Sequence, residues 1–256
     1  MIKRFYRSKF DIENLSRLRT AIPTDIDSFN YRGVVVNKPW GYEYLLYDNP
    51  HVAAWSLYLK YNHKTSMHCH PNKKTSLIVI SGEVVCSTLE GWLTRKPGEG
   101  IIIDEGVFHS TRAVSEAGAF IIEVESPPNK KDLVRLKDEY GREHQGYEGT
   151  TEMSRNLDLY KYVDFHAYAT EKEMKKRLCS TNISLIYHSR SESIQNRIRR
   201  QRADLFCLLK GKLHDGDGKL LLSPGDVISM AELHEASRLE AFSDMLYFIF
   251  SYDKNR

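Results

Sequence analysis

The 256-residue sequence has no long apolar run, no closely spaced cysteines and almost no net charge. Each absence removes a class of protein. No stretch approaches the 18 or so apolar residues of a membrane-spanning helix. The basic start, MIKRFYRSKF, is followed by the charged stretch 11–14, where a secretion signal would carry its apolar segment. Cys69, Cys86, Cys179 and Cys207 lie 17, 93 and 28 residues apart, so no CxxC pair is available for zinc or dithiol chemistry. Without a secretion signal, reduced thiols and a cytoplasmic location are expected. Thirty-seven basic against 34 acidic residues leave a net charge of +3, too little for a binder of polyanions. The densest basic run, residues 197–202, has no interleaved aromatic residues, which argues against nucleic acid. A small-molecule partner is expected, with neither nucleic acid nor membrane.

What the chain does have is β-forming residues in quantity, including 15 Tyr and 10 Phe. Short β-type runs at 52–59, 76–80, 84–88, 100–103 and 119–124 are separated by turn residues. Strands this short and closely spaced predict a sandwich or barrel rather than βαβ units. Helix candidates are few: 11–19, with Ile12, Leu15 and Leu18 at helical spacing, one turn near 130–137, and 171–176. A second β-rich block runs from 183 to 252.

The two blocks repeat one another. Pairing Gly82 with Gly211 gives an offset of 129, and pairing Gly98 with Gly225 gives 127. Twofold repetition predicts two domains and not a solenoid. The expected organisation is an N-terminal arm at 1–33, a first barrel at 34–149 and a second at 150–256.

Histidines concentrate the chemistry. His68 and His70 stand at i and i+2, so on a strand they share one face. His109 follows 39 residues after His70 and brings a third imidazole on a neighbouring strand. Neutral imidazole is a common metal ligand, and two on one face already form a chelating edge.

This spacing resembles the two-motif signature of the cupin superfamily. His68, His70 and Gly82 fit its first motif, with Thr75 where the family has Glu. Gly98, Ile103, Gly106 and His109 fit its second, with Glu99 for Asp and Asp104 for Pro. The resemblance implies an all-β fold of two jelly-roll (double-stranded β-helix) barrels, the second degenerate, behind a short helical N-terminal arm. A narrower likeness, in Lys38-Pro-Trp-Gly-Tyr-Glu43 and the segment 132–142, is to cupin-type mannose-6-phosphate isomerases. It covers about residues 38–147. It implies a divalent metal and a sugar or sugar-phosphate substrate, with Arg135 near that substrate. An isomerase or epimerase of sugar phosphates or nucleotide sugars, in surface-polysaccharide or unusual-sugar synthesis, is the activity so implied. A non-haem iron dioxygenase and a non-catalytic sugar-binding cupin are the alternatives.

Three neutral imidazoles and Thr75 leave a dication uncompensated, and a threonine hydroxyl is a poor fourth ligand; Thr75 is counted with the substrate-binding candidates. Zn²⁺ with an open position suits such a set, and Fe²⁺, Mn²⁺ or Ni²⁺ are also admissible. A barrel that merely keeps polar residues inside is the competing reading. Lys73 and Lys74, in the turn after the histidines, are candidates to hold a phosphate or carboxylate as point charges. His63 is a candidate base at the rim, or a surface histidine. Glu123 and Glu125 alternate with wholly apolar Phe120, Ile122 and Val124, which places the glutamates on a solvent face. If they point inward instead, they are acid–base candidates. In the second block, His68 and His70 fall on Arg197 and Arg199, read as a solvated strand face, and His234 corresponds to His109. Edge strands suggest a homodimer.

Overall fold

The computed structural model describes residues 2–18, 29–142, 147, 149–168 and 173–253. The first half runs β1 (Ile2–Phe5), α1 (Lys9–Arg17), β2 (Val35–Lys38), β3 (Gly41–Asn49), β4 (Val52–Leu59), β5 (Met67–Cys69), β6 (Lys74–Ser81), β7 (Val84–Thr88), β8 (Trp92–Arg95), β9 (Gly100–Ile103), β10 (His109–Ala113), β11 (Ala119–Ser126) and β12 (Val134–Lys137). The short β13 (Met153–Ser154) leads into the second half. There follow β14 (Glu173–Leu178), β15 (Thr181–His188), α2 (Ile194–Arg200), β16 (Leu205–Lys210), β17 (Leu213–Asp215), β18 (Leu220–Leu222), β19 (Val227–Ser229), α3 (Met230–Glu235), β20 (Leu239–Glu240) and β21 (Met245–Tyr252). No helix among the described residues is long and apolar enough to cross a membrane. All four cysteines are free.

An eight-stranded sheet, β1-β9-β6-β11-β4-β3-β2-β13, faces a five-stranded sheet, β12-β5-β10-β7-β8. Inward residues such as Trp55, Leu77, Val79, Cys86, Ile101 and Ile121 fill the space between them. The result is a jelly-roll barrel. The second half repeats the strand order: β9-β6-β11-β4-β3 has its counterpart in β19-β16-β21-β15-β14, and β10-β7-β8 in β20-β17-β18. Gly82 and Gly211 turn the equivalent hairpins β6–β7 and β16–β17 at φ +74° and +89°. A Cβ would lie 2.3 Å from the Gly118 carbonyl oxygen in one and 2.8 Å from that of Asp244 in the other. Only glycine fits such a turn.

The largest apolar cluster lies between the halves rather than inside either barrel. Ile78 and Ile80 of β6, and Phe120, Ile122 and Val124 of β11, pack against Leu185, Cys207, Phe248 and Phe250. Strand parity follows from this. On β6 the even residues face the second half and the odd ones face the barrel interior, as Leu77 and Val79 do. At β6 and β11 the eight-stranded sheet is therefore buried on both faces, and the largely apolar face, with Lys74 and Ser76 bonded across at one end, marks the contact between halves. Phe248, fully buried, meets Phe165 at 5.0 Å and Tyr47 at 6.0 Å between ring centroids. Phe248→Ala is expected to cost about 3–5 kcal/mol in chemical denaturation. A cost below about 1 kcal/mol would show that this core does not hold the halves together.

Several local expectations are corrected. The N-terminal helix spans Lys9–Arg17 behind a Ser8–Asp11 capping box, and β1 precedes it as an unforeseen parallel strand on β9. The turn expected near 130–137 ends in strand β12, which pairs with β5. Residues 173–176 of the third helix candidate belong to β14, paired along its length with β15, while 171 and 172 lie outside the described residues. Conversely, Arg197 and Arg199 sit on helix α2, not on a strand. Ser193 caps it, and Ile194 and Ile198, four apart, bury its inner face. His234 lies on α3, with Nε2 against the Ile198 carbonyl oxygen at 3.0 Å. Helix α2 thus stands where the first barrel carries β5 with His68, while α3 lies just before β20, the counterpart of the His109 strand.

Candidate metal centre

His68 on β5 pairs directly with His109 on β10, and Arg135 on β12 pairs with His68 from the other side. His70 follows one residue beyond β5. The three rings lie 4.4–5.4 Å apart between centroids, all buried. One nitrogen from each falls within 4.8 Å of the others.

Which nitrogen is fixed by the backbone. His68 Nδ1 is 2.8 Å from the Ser66 carbonyl oxygen, His70 Nδ1 is 2.6 Å from that of Asp132, and His109 Nδ1 is 3.0 Å from that of Val107. A carbonyl oxygen can only accept, so each Nδ1 carries the proton and each Nε2 keeps its lone pair. Orienting contacts of this kind are what metal-ligating histidines require. Nε2 of His70 is buried without a hydrogen-bond partner. The residues present therefore fit a divalent cation on three imidazoles.

The electrostatics keep the rings neutral. Burial pushes the pKa of His68 and His70 well below the ordinary value, helped by neighbouring imidazoles and by Lys73. Burial lowers His109 to about 4, with Lys73 adding to the effect. Neutral imidazole is the metal-binding form.

Glu123 and Glu125 point into the barrel, which corrects their placement on a solvent face. The alternation argument assumed that one face of β11 is wet. Here the apolar face is covered by the second half, leaving the glutamates for the interior. Glu123 Oε1 stands 4.0 Å from His70 Nε2. Burial raises its pKa to about 7, against the pull of Lys130. Glu125 goes the other way. Burial opposes its charge, but the ammonium groups of Lys73 and Lys130 outweigh that and hold its pKa below the usual carboxylate value.

Lys73 is fully buried and bonds Glu125 Oε2 at 2.8 Å and the Asn129 carbonyl oxygen at 2.9 Å. Lys130 reaches Glu125 and Glu43, both at 3.2 Å, and lies 3.9 Å above the Trp55 ring. Lys38 sits 3.4 Å from Glu43, which also accepts from the Tyr147 hydroxyl. Burial opposes the Glu43 charge, yet Lys130 and Lys38 bring its pKa down to about 2. The outcome is an alternating chain, Lys38–Glu43–Lys130–Glu125–Lys73, which ends on a cation beside the histidines. With Arg135 it lines a cavity of about 50 Å³. One water needs roughly 10–15 Å³, so this is room for the reacting end of a ligand rather than a whole sugar. A much larger hollow, about 1060 Å³, lies on the outer face of the five-stranded sheet, separated from the histidines by Ser66.

Two other expected site residues are elsewhere. Lys74 has even parity on β6 and pairs with Asp226 at 2.7 Å, tying the halves together. His63 lies in the β4–β5 connection against the Tyr61 carbonyl oxygen, outside the cavity wall. Thr75 faces the interior, buried beside Glu125 with no partner for its hydroxyl, but does not line the cavity. Sequence reasoning missed Lys38, Glu43, Lys130, Arg142 and Tyr147 as cavity residues. Lys38, Glu43 and Arg142 lay in the two segments singled out for their likeness to the isomerases.

No protein-family model matches the chain, and no curated protein does. Solved structures match one part of it. KdgF from Halomonas sp. is 12% identical over 42% of this chain and 94% of its own, with a TM-score of 0.32. An RmlC-like cupin from Shewanella frigidimarina is 18% identical over 41% and 85%, at 0.31. An uncharacterised protein with a double-stranded β-helix domain from Klebsiella pneumoniae is 15% identical over 38% and 84%, at 0.35.

Proposed function

We propose that the first barrel is the active site of a metal-dependent cupin enzyme that removes a proton from a carbon beside the carbonyl of an anionic, sugar-type substrate and returns one either to the neighbouring carbon, as an isomerase, or to the other face of the same carbon, as an epimerase. The observation that carries this reading is a cluster of three buried imidazoles, one nitrogen of each within 4.8 Å of the others, beside a carboxyl group of pKa about 7 that stands 4.0 Å from His70 Nε2. His68, His70 and His109 would hold the cation, which when bound supplies a Lewis acid for a carbonyl or hydroxyl oxygen. In the isomerase reaction Glu123 takes a proton from the carbon beside the carbonyl and returns it to the former carbonyl carbon, while the hydroxyl proton passes to the carbonyl oxygen; a group titrating near neutrality can act as both base and acid. Lys73 spends two of its three N–H donors inside the protein and offers the third to a substrate oxygen. Arg135, with that ammonium, favours a substrate carrying a carboxylate or phosphate.

Charge count supports the anionic substrate. Lys38, Lys73, Lys130, Arg135 and Arg142 line the cavity against the carboxylates Glu43 and Glu125 and the half-ionised Glu123, before any metal is added. A sugar phosphate or sugar acid in a surface-polysaccharide or unusual-sugar pathway has the required chemistry. The test is metal analysis of protein purified without added metal. It is followed by incubation with sugar phosphates and sugar acids in D₂O, with NMR detection of deuterium next to the carbonyl. Bound Zn²⁺, Mn²⁺ or Ni²⁺ with deuterium incorporation is the expected result. Failure of the folded protein to bind any of these ions overturns it. A ligand set of three histidines without a carboxylate also suits Fe²⁺. Oxygen uptake by iron-loaded protein, without deuterium incorporation, would move the reading to a dioxygenase.

A further inference from the structure

A jelly roll closes without the strand and helix that precede it here, yet both are built into the loop that carries His109. β1 runs parallel to β9 in the register Ile2↔Gly100 to Phe5↔Ile103. This places the Phe5 carbonyl oxygen 3.1 Å from the Asp104 amide and the Arg4 guanidinium against the Asp104 carboxylate at 2.7 Å and 3.0 Å. Two residues on, Gly106 turns at φ +75° and donates its N–H to the His70 carbonyl oxygen at 2.8 Å. A Cβ there would come within 3.0 Å of the Arg7 side chain.

The third clamp is Asp11, 3% exposed. Its Oδ2 accepts from the Ser8 amide and hydroxyl, both at 2.8 Å, and so caps α1. Its Oδ1 leaves the helix altogether and accepts the Phe108 N–H at 2.9 Å, 97 residues away in sequence. Phe108 immediately precedes His109, whose Nδ1 is held by the Val107 carbonyl oxygen of the same loop. The aim of the His109 ring is thus set by loop backbone, and that backbone is anchored to the arm at Asp104 and Phe108.

We propose that Asp11 is a positioning residue for His109, making the N-terminal arm part of the histidine centre. In its metal readout this rests on the proposed metal site; in its metal-free readout it does not. The experiment uses full-length wild type, Asp11→Ala and Asp11→Asn. Co²⁺ is titrated with visible absorption, and side-chain ¹H–¹⁵N signals of the histidines are recorded in metal-free protein. Asp11→Ala should weaken Co²⁺ binding by about 10–100-fold and change the visible spectrum, while Asp11→Asn, whose single amide oxygen can serve either Phe108 or the Ser8 cap, should lose no more than Asp11→Ala. Asp11→Ala should also shift the metal-free His109 signals, and those of His68, whose ring lies 4.4 Å away, by less.

Wild-type Co²⁺ affinity together with unmoved His109 signals in folded Asp11→Ala overturns the proposal. If wild type binds no Co²⁺, the metal reading falls, and the metal-free His109 signals still decide the role of Asp11. Should Asp11→Ala not fold, Asp11→Glu keeps the charge but displaces it by a methylene, and the same two readouts apply.

Discussion

Replacing His109 by alanine is expected to weaken divalent-metal binding a hundredfold or more while making the metal-free protein more tolerant of acid. The first effect follows from ligand count. Structural zinc sites of four ligands are worth about 10–16 kcal/mol, so one ligand carries roughly 3 kcal/mol, or a factor of at least 100. The second follows from linkage. His109 titrates near 4 in the folded protein, against about 6.5 for a free imidazole in the unfolded chain. Below 6.5 the unfolded state therefore binds a proton that the folded state refuses. Stability from this group is fully present above that pH and lost as the pH falls to about 4, by about 3 kcal/mol. His68 and His70 are lowered in the same direction and add to the loss. Denaturant titrations of metal-free wild type and His109→Ala at pH 7.5 and pH 4.5 measure the difference. Equal pH sensitivity in the two proteins would show that His109 is not held neutral by the fold.

The features legible in the sequence were those set by strand periodicity and by glycine. His68 and His70 had to share a face because they are two apart, and Gly82 and Gly211 marked equivalent hairpins because both take positive φ. The orientation of Glu123 was misread by the same periodicity. An apolar stripe says only that something covers it, and in this chain the cover is the other half of the molecule. Helix α2 escaped because its arginines drew attention from the Ile194/Ile198 pair that fixes its buried face. Lys130 was invisible for a different reason. It comes from a polar connector, and only the tertiary fold brings its ammonium over Trp55 and between two carboxylates.

Glu123→Gln and Glu125→Gln should separate chemistry from stability, although the two residues share one strand face. Burial holds the Glu123 carboxyl near pKa 7, so a neutral amide satisfies its surroundings about as well as the acid does. Glu123→Gln is expected to change folding stability by less than about 1 kcal/mol at pH 6, while removing the proton carrier costs about 10²–10⁴ in turnover. Glu125 has its pKa drawn down by Lys73 and Lys130 and lies 2.8 Å and 3.2 Å from their ammonium groups. Its amide would leave two buried cations short of a counter-charge, and breaking such a pair costs about 3–5 kcal/mol. Two carboxyl groups whose environments drive their pKa values apart are thereby assigned different work. Deuterium exchange into substrate measures the first effect and guanidinium chloride denaturation the second. If Glu123→Gln kept wild-type exchange, the base would have to lie elsewhere in the cavity. If Glu125→Gln cost no stability, the alternating chain from Lys38 to Lys73 would not be what holds the cavity wall together.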